Sequence, residues 1–310
     1  MAYRIKLDQS PGKQLSRIVR EQIDRAVEMV SQPRVPLAVR VHAARTAAKR
    51  IRAALRFVRG RRPKIWRAEQ AFYRDAACQL APLREAAVIP ATVAQLREQA
   101  RSAMPCDITA LQRWTRVESR RILAKRAHNA GILRRFVRAM GGARRRLRPL
   151  KLDLRSADLL DGFRCSYRSA RRAWARLGPK SSASHYHELR KRAKAHAYHC
   201  RLFRKAWPKM LRAQQRALGE LDDLLGNEHD LSVLALRLTK HSREFDRKAV
   251  KSWLCLIAAR QRELRREALW LGQRIFVTKP PVVEDCLSSW WNTARTKKSR
   301  SERSHEPWRI

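Results

Sequence analysis

Six basic side chains recur at three- and four-residue steps within the segment VHAARTAAKRIRAALRFVR: His42, Arg45, Lys49, Arg52, Arg56 and Arg59. On a helix, at about 100° per residue, these positions share one face, and neighbouring groups stand about 5 Å apart along the axis. A ridge of that kind suits a linear polyanion better than a single small ion. Guanidinium forks match phosphate oxygens, and their hydrogen bonds are charge-assisted. One position earlier runs a second stripe, Val41, Ala44, Ala48, Ile51, Leu55 and Val58, an apolar seam expected to face a core. The cationic ridge should therefore border a packed interface.

The same pattern returns when the chain is slid against itself by 145 residues. His42 then falls on His187, Arg45 on Arg190, Lys49 on Lys194, Arg56 on Arg201 and Arg59 on Arg204. Ala48, Pro63 and Lys64 likewise meet Ala193, Pro208 and Lys209, which gives eight identities over residues 42–64 where about two would arise by chance. Further on, Leu80 meets Leu225, Val88 meets Val233, and the acidic Glu85 meets the acidic Asp230. The second copy adds Lys191 but places Ala195 and Ala197 where the first has Arg50 and Arg52. A charged stripe taken alone is most often a solvated helix face. Solvation does not explain the same His, Arg and Lys spacing at a constant offset beside small and apolar positions.

Catalysis finds little support in these residues. A histidine at a helix start can cap the backbone or pack on a neighbouring helix as readily as touch a ligand. General acid–base or nucleophilic work needs a carboxylate, Ser or Cys partner, and the nearest repeat-matched acids, Glu85 and Asp230, lie 43 residues downstream of His42 and His187. Those acids are placed to orient basic groups across a bundle or to form structural ion pairs. His185, His187, His196 and His199 invite a metal reading, but no acid or thiolate completes a ligand set, and the surrounding Lys and Arg oppose a cation. Gly141 and Gly142 lack the Gly-Lys-Ser/Thr continuation of a nucleotide-binding loop. The expectation is a binding protein without catalysis, metal or cofactor.

The elements that must position the ridge are helices. Ala, Leu, Arg, Lys and Glu dominate a 310-residue chain with only 10 Gly and 13 Pro, so an all-α fold is expected. Breaks are expected at Ser31 to Pro36, Gly60 to Pro63, Pro82 to Pro90, Pro105, Gly141 to Pro149, Gly178 to Ser184, Pro208, Gly226 and Pro280. The repeat divides the chain into 1–148 and 149–279, leaving 280–310 as a short Trp290–Trp291 piece followed by a basic, mobile tail. With 71 Lys and Arg against 27 Asp and Glu, the formal charge is +44, and 54 of the cations are Arg. Such self-repulsion implies a polyanionic partner, inorganic polyphosphate or nucleic acid. The six scattered cysteines show no Cys-x-x-Cys pair, so buried thiols are expected. The polar start and the lack of a long apolar run favour a cytoplasmic protein without a membrane partner.

The two His-x-x-Arg-x-x-x-Lys helix starts, the opening MAYRIKLDQS, the segment LDDLLGNEHDLSVLALRL and its weaker first-half counterpart LAPLREAAV resemble the CHAD family, the conserved-histidine α-helical domain. The resemblance spans most of the chain. It implies two pseudo-symmetric four-helix bundles with basic residues lining a central groove that binds inorganic polyphosphate, and a place at polyphosphate granules. Carried over by position, the implied contacts are Arg45, Lys49, Arg50, Arg52 and Arg56 in the first half, and Arg190, Lys191, Lys194 and Arg201 in the second. His42 and His187 sit at the matching helix starts, and Arg59 and Arg204 extend the stripe. A triphosphatase partner domain is not implied, because no Glu-x-Glu-x-Lys run occurs.

Overall fold

The computed structural model describes residues 3–7, 9–103, 107–147, 152–178 and 181–303, excluding the side chains of 99–103 and 298–303. Among them the chain is all-α. In order the helices are α1 (Pro11–Ser31), α2 (Leu37–Ala54), α3 (Pro63–Cys78), α4 (Ala81–Ala103), α5 (Thr109–Ala124), α6 (Arg126–Leu147), α7 (Ser156–Ala175), α8 (Ala183–Leu202), α9 (Pro208–Lys240), α10 (Arg247–Ile275) and α11 (Pro280–Arg303). A 3-10 turn, Leu55–Val58, continues α2. No described helix is long and apolar enough to cross a membrane.

Proline sets several of these starts by occupying the first turn, where a missing N–H costs nothing, as at Pro11, Pro63 and Pro208. The starts of α1 and α3 recur 145 residues later at α7 and α9. Two helices of the first half, α3 and α4, occupy the register that α9 spans without interruption. The apolar seam of α2 is buried as its spacing predicts: Val41, Ala44, Ala48, Ile51, Leu55 and Val58 all belong to the larger core. That core draws on both halves, from Ile18 and Phe136 to Phe163, Leu189 and Leu218. A smaller one joins Ile89, Val93 and Leu111 to Leu234, Trp253 and Ile257. Apolar burial is thus shared across the repeat rather than partitioned between its copies.

Two expected breaks fall elsewhere or do not occur: Gly226 lies inside α9, and the break expected at Pro82 to Pro90 falls just before it, between α3 and α4, with both prolines within α4. In the range Gly141 to Pro149, α6 runs through both glycines and ends at Leu147. The break at Pro105 and the division near Pro149 lie outside the described residues. The segment after Pro280 is a helix docked on α7, with Leu287 fully buried and Trp291 nearly so. Where a short piece and a basic tail were expected, Pro280–Arg303 form one helix, and these two apolar groups hold its first part to the main core. Residues 304–310 lie outside the described set. Buried thiols are also corrected: of the described cysteines only Cys200 is buried, while Cys78 and Cys255 are exposed.

Pro90 shows how an interior proline is accommodated. Its ring leaves the carbonyl of Ala86, four residues back, without its helical donor. The Ser119 hydroxyl of α5 donates to that carbonyl at 2.5 Å. Replacing Ser119 by Ala should therefore cost about 1–2 kcal/mol in chemical denaturation. In a Pro90→Ala background, where the backbone supplies the donor, the same replacement should cost clearly less.

Candidate functional site

The two ridge-bearing helices, α2 and α8, pack directly against one another. Their crossing brings repeat-matched positions together. Lys49 is surrounded by Lys194, Arg190 and Arg45, and burial first, then these charges, push its ammonium down to about 7. Burial lowers the Arg45 guanidinium too, with Arg84 of α4 the largest electrostatic contributor and Arg190 a further one. Burial also depresses His42, an exposed residue at the rim, aided by Lys49, Lys194 and Arg84.

His187 stacks on His229 of α9, with ring centres 4.3 Å apart and planes 28° from parallel. Both imidazoles are driven to about 4, by burial first and then by neighbouring positive charge. They are neutral at neutral pH. The charges that act on His229 are Arg190, Arg84, Lys49 and Arg45, so all four cations converge on one region between α2, α4, α8 and α9. Of the sequence-predicted residues, His42, Arg45, Lys49, His187, Arg190 and Lys194 are gathered there.

Arg84 and His229 were missed by the ridge pattern. Repetition held the missing signal, because the 145-residue offset places Arg84 on His229, immediately before the matched acids Glu85 and Asp230. Those acids bridge α4 and α9: Arg84 contacts both Asp230 carboxylate oxygens at 2.8 and 3.1 Å, and Arg237 reaches Glu85 at 2.7 Å. They bind cations and stand apart from the histidines' chemistry.

The cationic anchors differ between copies. Arg45 Nη1 donates to the backbone carbonyl of Ala77 at 2.6 Å, near the end of α3. At the matching place in the second half stands Asp222, which accepts from Arg190 Nε at 3.0 Å and from Lys194 Nζ. Burial opposes a charge on Asp222, but Lys194 and Arg190 outweigh it and hold the carboxyl below its usual range. Gly226 lies four residues beyond Asp222 on α9. A Cβ at Gly226 would come within 2.9 Å of Arg190 Nη2, so glycine here gives the guanidinium room to lie against the helix.

The remaining candidates form two flanks. Past Ala54 the helix tightens into a 3-10 turn that carries Arg56, with Arg59 at its end. On this flank Arg52 exchanges hydrogen bonds with Gln70, and Arg59 lies over the Trp66 ring at 5.0 Å. Burial lowers Arg56 to about 10, with Arg52, Arg192 and Arg59 adding to the effect. On the opposite flank Arg50 donates to Gln22 at 3.3 Å and lies 5.8 Å from the Tyr3 ring centre. Arg201 adds to the burial that lowers Arg50, and Arg204 donates to Gln215. Lys191 is exposed and pairs with Glu188 at the edge of the cluster, where its charge adds to the depression of His187.

His196 and His199 belong to the core. Nδ1 of His196 lies 2.8 Å from the Ser166 hydroxyl, and Nε2 of His199 donates to the Ala53 carbonyl at 2.8 Å. Burial drives both to about 3, so they are neutral packing groups. His199 also stacks on Phe57 and thereby ties α8 to the end of α2. No group of three or more metal-ligating side chains occurs among the described residues.

Comparison with known proteins gives a consistent result. The profile described as the CHAD domain matches residues 17–239. A crystal structure of the CHAD domain from the plant Ricinus communis is similar at a TM-score of 0.62 and 20% identity, covering 90% of this chain and 96% of the other. PptA from Streptomyces chartreusis is similar at a TM-score of 0.60 and 16% identity, over 87% of this chain and 100% of the other. No curated protein matches.

The crowding around Lys49 has a measurable consequence. Its folded value of about 7 lies below the ordinary 10.5, so between those values the unfolded chain binds more protons and stability rises with pH. Thermal unfolding should show that rise between pH 7 and 9. Lys49→Met, which removes the ammonium but keeps most of the side-chain length, should flatten it.

Proposed function

The chain belongs to the CHAD family, and from that membership we propose that it binds inorganic polyphosphate without turning it over. The observation that carries the reading is the convergence of Arg45, Lys49, Arg84, Arg190 and Lys194 on one region, contributed by helices from both halves of the repeat. Holding like charges together while removing them from water raises the free energy of the unliganded protein. A polyanion lying among them relieves both costs. The flanking groups, Arg52 with Arg56 and Arg50 with Arg201, extend the positive surface on either side and favour a chain of phosphates over a single ion.

Counterion release adds to these contacts, so affinity should fall steeply with salt. For a flexible single-stranded polyanion the slope of log K against log salt is about 0.7 per neutralised phosphate. The nearby acids support binding over catalysis. Asp222, Asp230 and Glu85 are each engaged with Arg or Lys, whereas phosphoryl transfer generally relies on carboxylates free to hold a metal. A cytoplasmic site where polyphosphate accumulates, such as a granule, fits this reading. The net charge of +44 also supports a second reading, nucleic-acid binding.

Competition separates the two. Polyphosphate should displace a labelled DNA duplex at equal phosphate concentration across a salt series, and displacement in the reverse direction would favour nucleic acid. Replacing Arg45, Lys49 and Arg56 together by Ala should weaken polyphosphate binding by about 100-fold or more at low salt, since each hydrogen bond to a charged group contributes about 1.5–3 kcal/mol. Helicity by circular dichroism should persist, because the buried seam is untouched.

Binding should also be linked to protons. A bound polyanion favours the charged form of Lys49, which otherwise faces Lys194 and Arg190 from α8, Asp222 and His229 from α9, and Arg45 and His42 from its own helix. Calorimetry in buffers of different ionisation enthalpy should show proton uptake near pH 7, with affinity falling as pH rises above it.

A further inference from the structure

The two copies of the anion-contacting motif are chemically unequal, and the difference lies in one residue. In the first half, Arg45 is anchored on a neutral group, the Ala77 carbonyl. In the second, the matching Arg190 and also Lys194 are anchored on a full negative charge, the Asp222 carboxylate. The local backbone explains the contrast. Helix α3 ends at Cys78, and the Ala77 carbonyl in its last turn, which keeps only a long 3.3 Å turn bond from Leu80 and the cap contact from Gln79, has a lone pair for a side-chain donor. Helix α9 continues unbroken through the equivalent position, its carbonyls are committed to the helix, and a side chain must supply the acceptor.

Asp222 is largely shielded from solvent, as are both of its partners, with side-chain exposures of 14% for Asp222, 16% for Arg190 and 26% for Lys194. No other carboxylate pairs with Arg190 or Lys194 among the described residues. The carboxylate therefore occupies donor positions that a phosphate would use. It is tethered, so its effective concentration is high and does not fall on dilution.

We propose that Asp222 is a built-in competitor that sets chain-length selectivity, discriminating against short phosphates in favour of long ones. The inference rests on the polyphosphate reading and names the residue that decides which phosphates the same site accepts. A short anion that needs Arg190 and Lys194 must displace a tethered rival and gains few other contacts in exchange. A long chain can leave Asp222 in place, engage Arg45 and Lys49, and continue onto the arginines of either flank. The penalty imposed by Asp222 is therefore a large fraction of the binding free energy of orthophosphate and a small fraction of that of a long chain.

Two variants test this by opposite changes. Asp222→Asn keeps the shape and removes the charge, whereas Ala77→Asp adds a carboxylate at the repeat-equivalent place in the first half. Affinities for orthophosphate, tripolyphosphate and long-chain polyphosphate are measured by calorimetry at fixed salt, with circular dichroism as the folding control. Asp222→Asn should strengthen tripolyphosphate binding by about 10-fold, within the usual range of coupling between competing ligands, and should change long-chain binding much less. Ala77→Asp should weaken the short anions preferentially.

Equal changes for short and long chains, or no gain for short anions in Asp222→Asn, would overturn the proposal. Should Asp222→Asn lose helicity, because Arg190 and Lys194 are left without a partner, Ala77→Asp decides alone by the same criterion. Wild-type protein that binds long chains no better than orthophosphate would instead sink the polyphosphate reading itself, before either variant is considered.

Discussion

Crowding of like charge at the crossing of α2 and α8 is the constraint around which the rest of the molecule is arranged. Left to themselves, Arg45, Lys49, Arg190 and Lys194 would separate into solvent. They are held because the adjoining face of α2 and its 3-10 continuation, from Val41 to Val58, is locked into the main core together with Leu189 and Ala193 of α8. Burial of that seam, at about 25 cal/mol per Å² of apolar surface, opposes the repulsion. The hydrophobic effect thus fixes the positions, and electrostatics then determines what the positions are good for.

Three devices keep the cluster tolerable without a ligand. Lys49 gives up part of its charge near neutral pH, and His187 and His229 remain neutral and stack. Arginine, whose charge is almost impossible to remove, is instead given acceptors: the Ala77 carbonyl for Arg45, Asp222 for Arg190 and Asp230 for Arg84. Each device leaves donor capacity unspent, since a guanidinium carries five N–H groups and none of these partners uses them all. Holding these partly unspent donors together works against stability, a common relation where a strained or charged arrangement is kept.

Much of this was legible in the sequence because two independent periodicities coincide. The three- and four-residue steps mark the buried and cationic faces of α2, and the 145-residue offset identifies α8 as its counterpart. What remained hidden depended on contacts between helices. Pro90 reads as a break until Ser119 is seen to supply the missing donor to Ala86. Gly226 reads as a turn until Arg190 is found lying against it. The stripe reads as one continuous α-helix through Arg59 because nothing in its spacing reveals the 3-10 turn at Leu55. His196 and His199 resemble ligands by spacing, yet their partners are a serine hydroxyl and a carbonyl in the core. Trp290 and Trp291 offered no period at all, and only packing on the main core shows that their helix belongs to the folded body.

The inequality between the halves follows from the same logic of local donors and acceptors. Interrupting a helix exposes carbonyls and permits a neutral anchor for an arginine, while continuing the helix removes that option and calls for an acid. Residues around the α3–α4 break therefore do more than connect two elements. Among the described residues they leave Arg45 and Lys49 without a directly paired carboxylate, with Glu85 and Asp222 acting only at longer range, whereas α9 brings Asp222 against Arg190 and Lys194. A duplicated scaffold can in this way carry one strongly electropositive copy and one moderated copy, the difference residing in helix continuity and a single side chain.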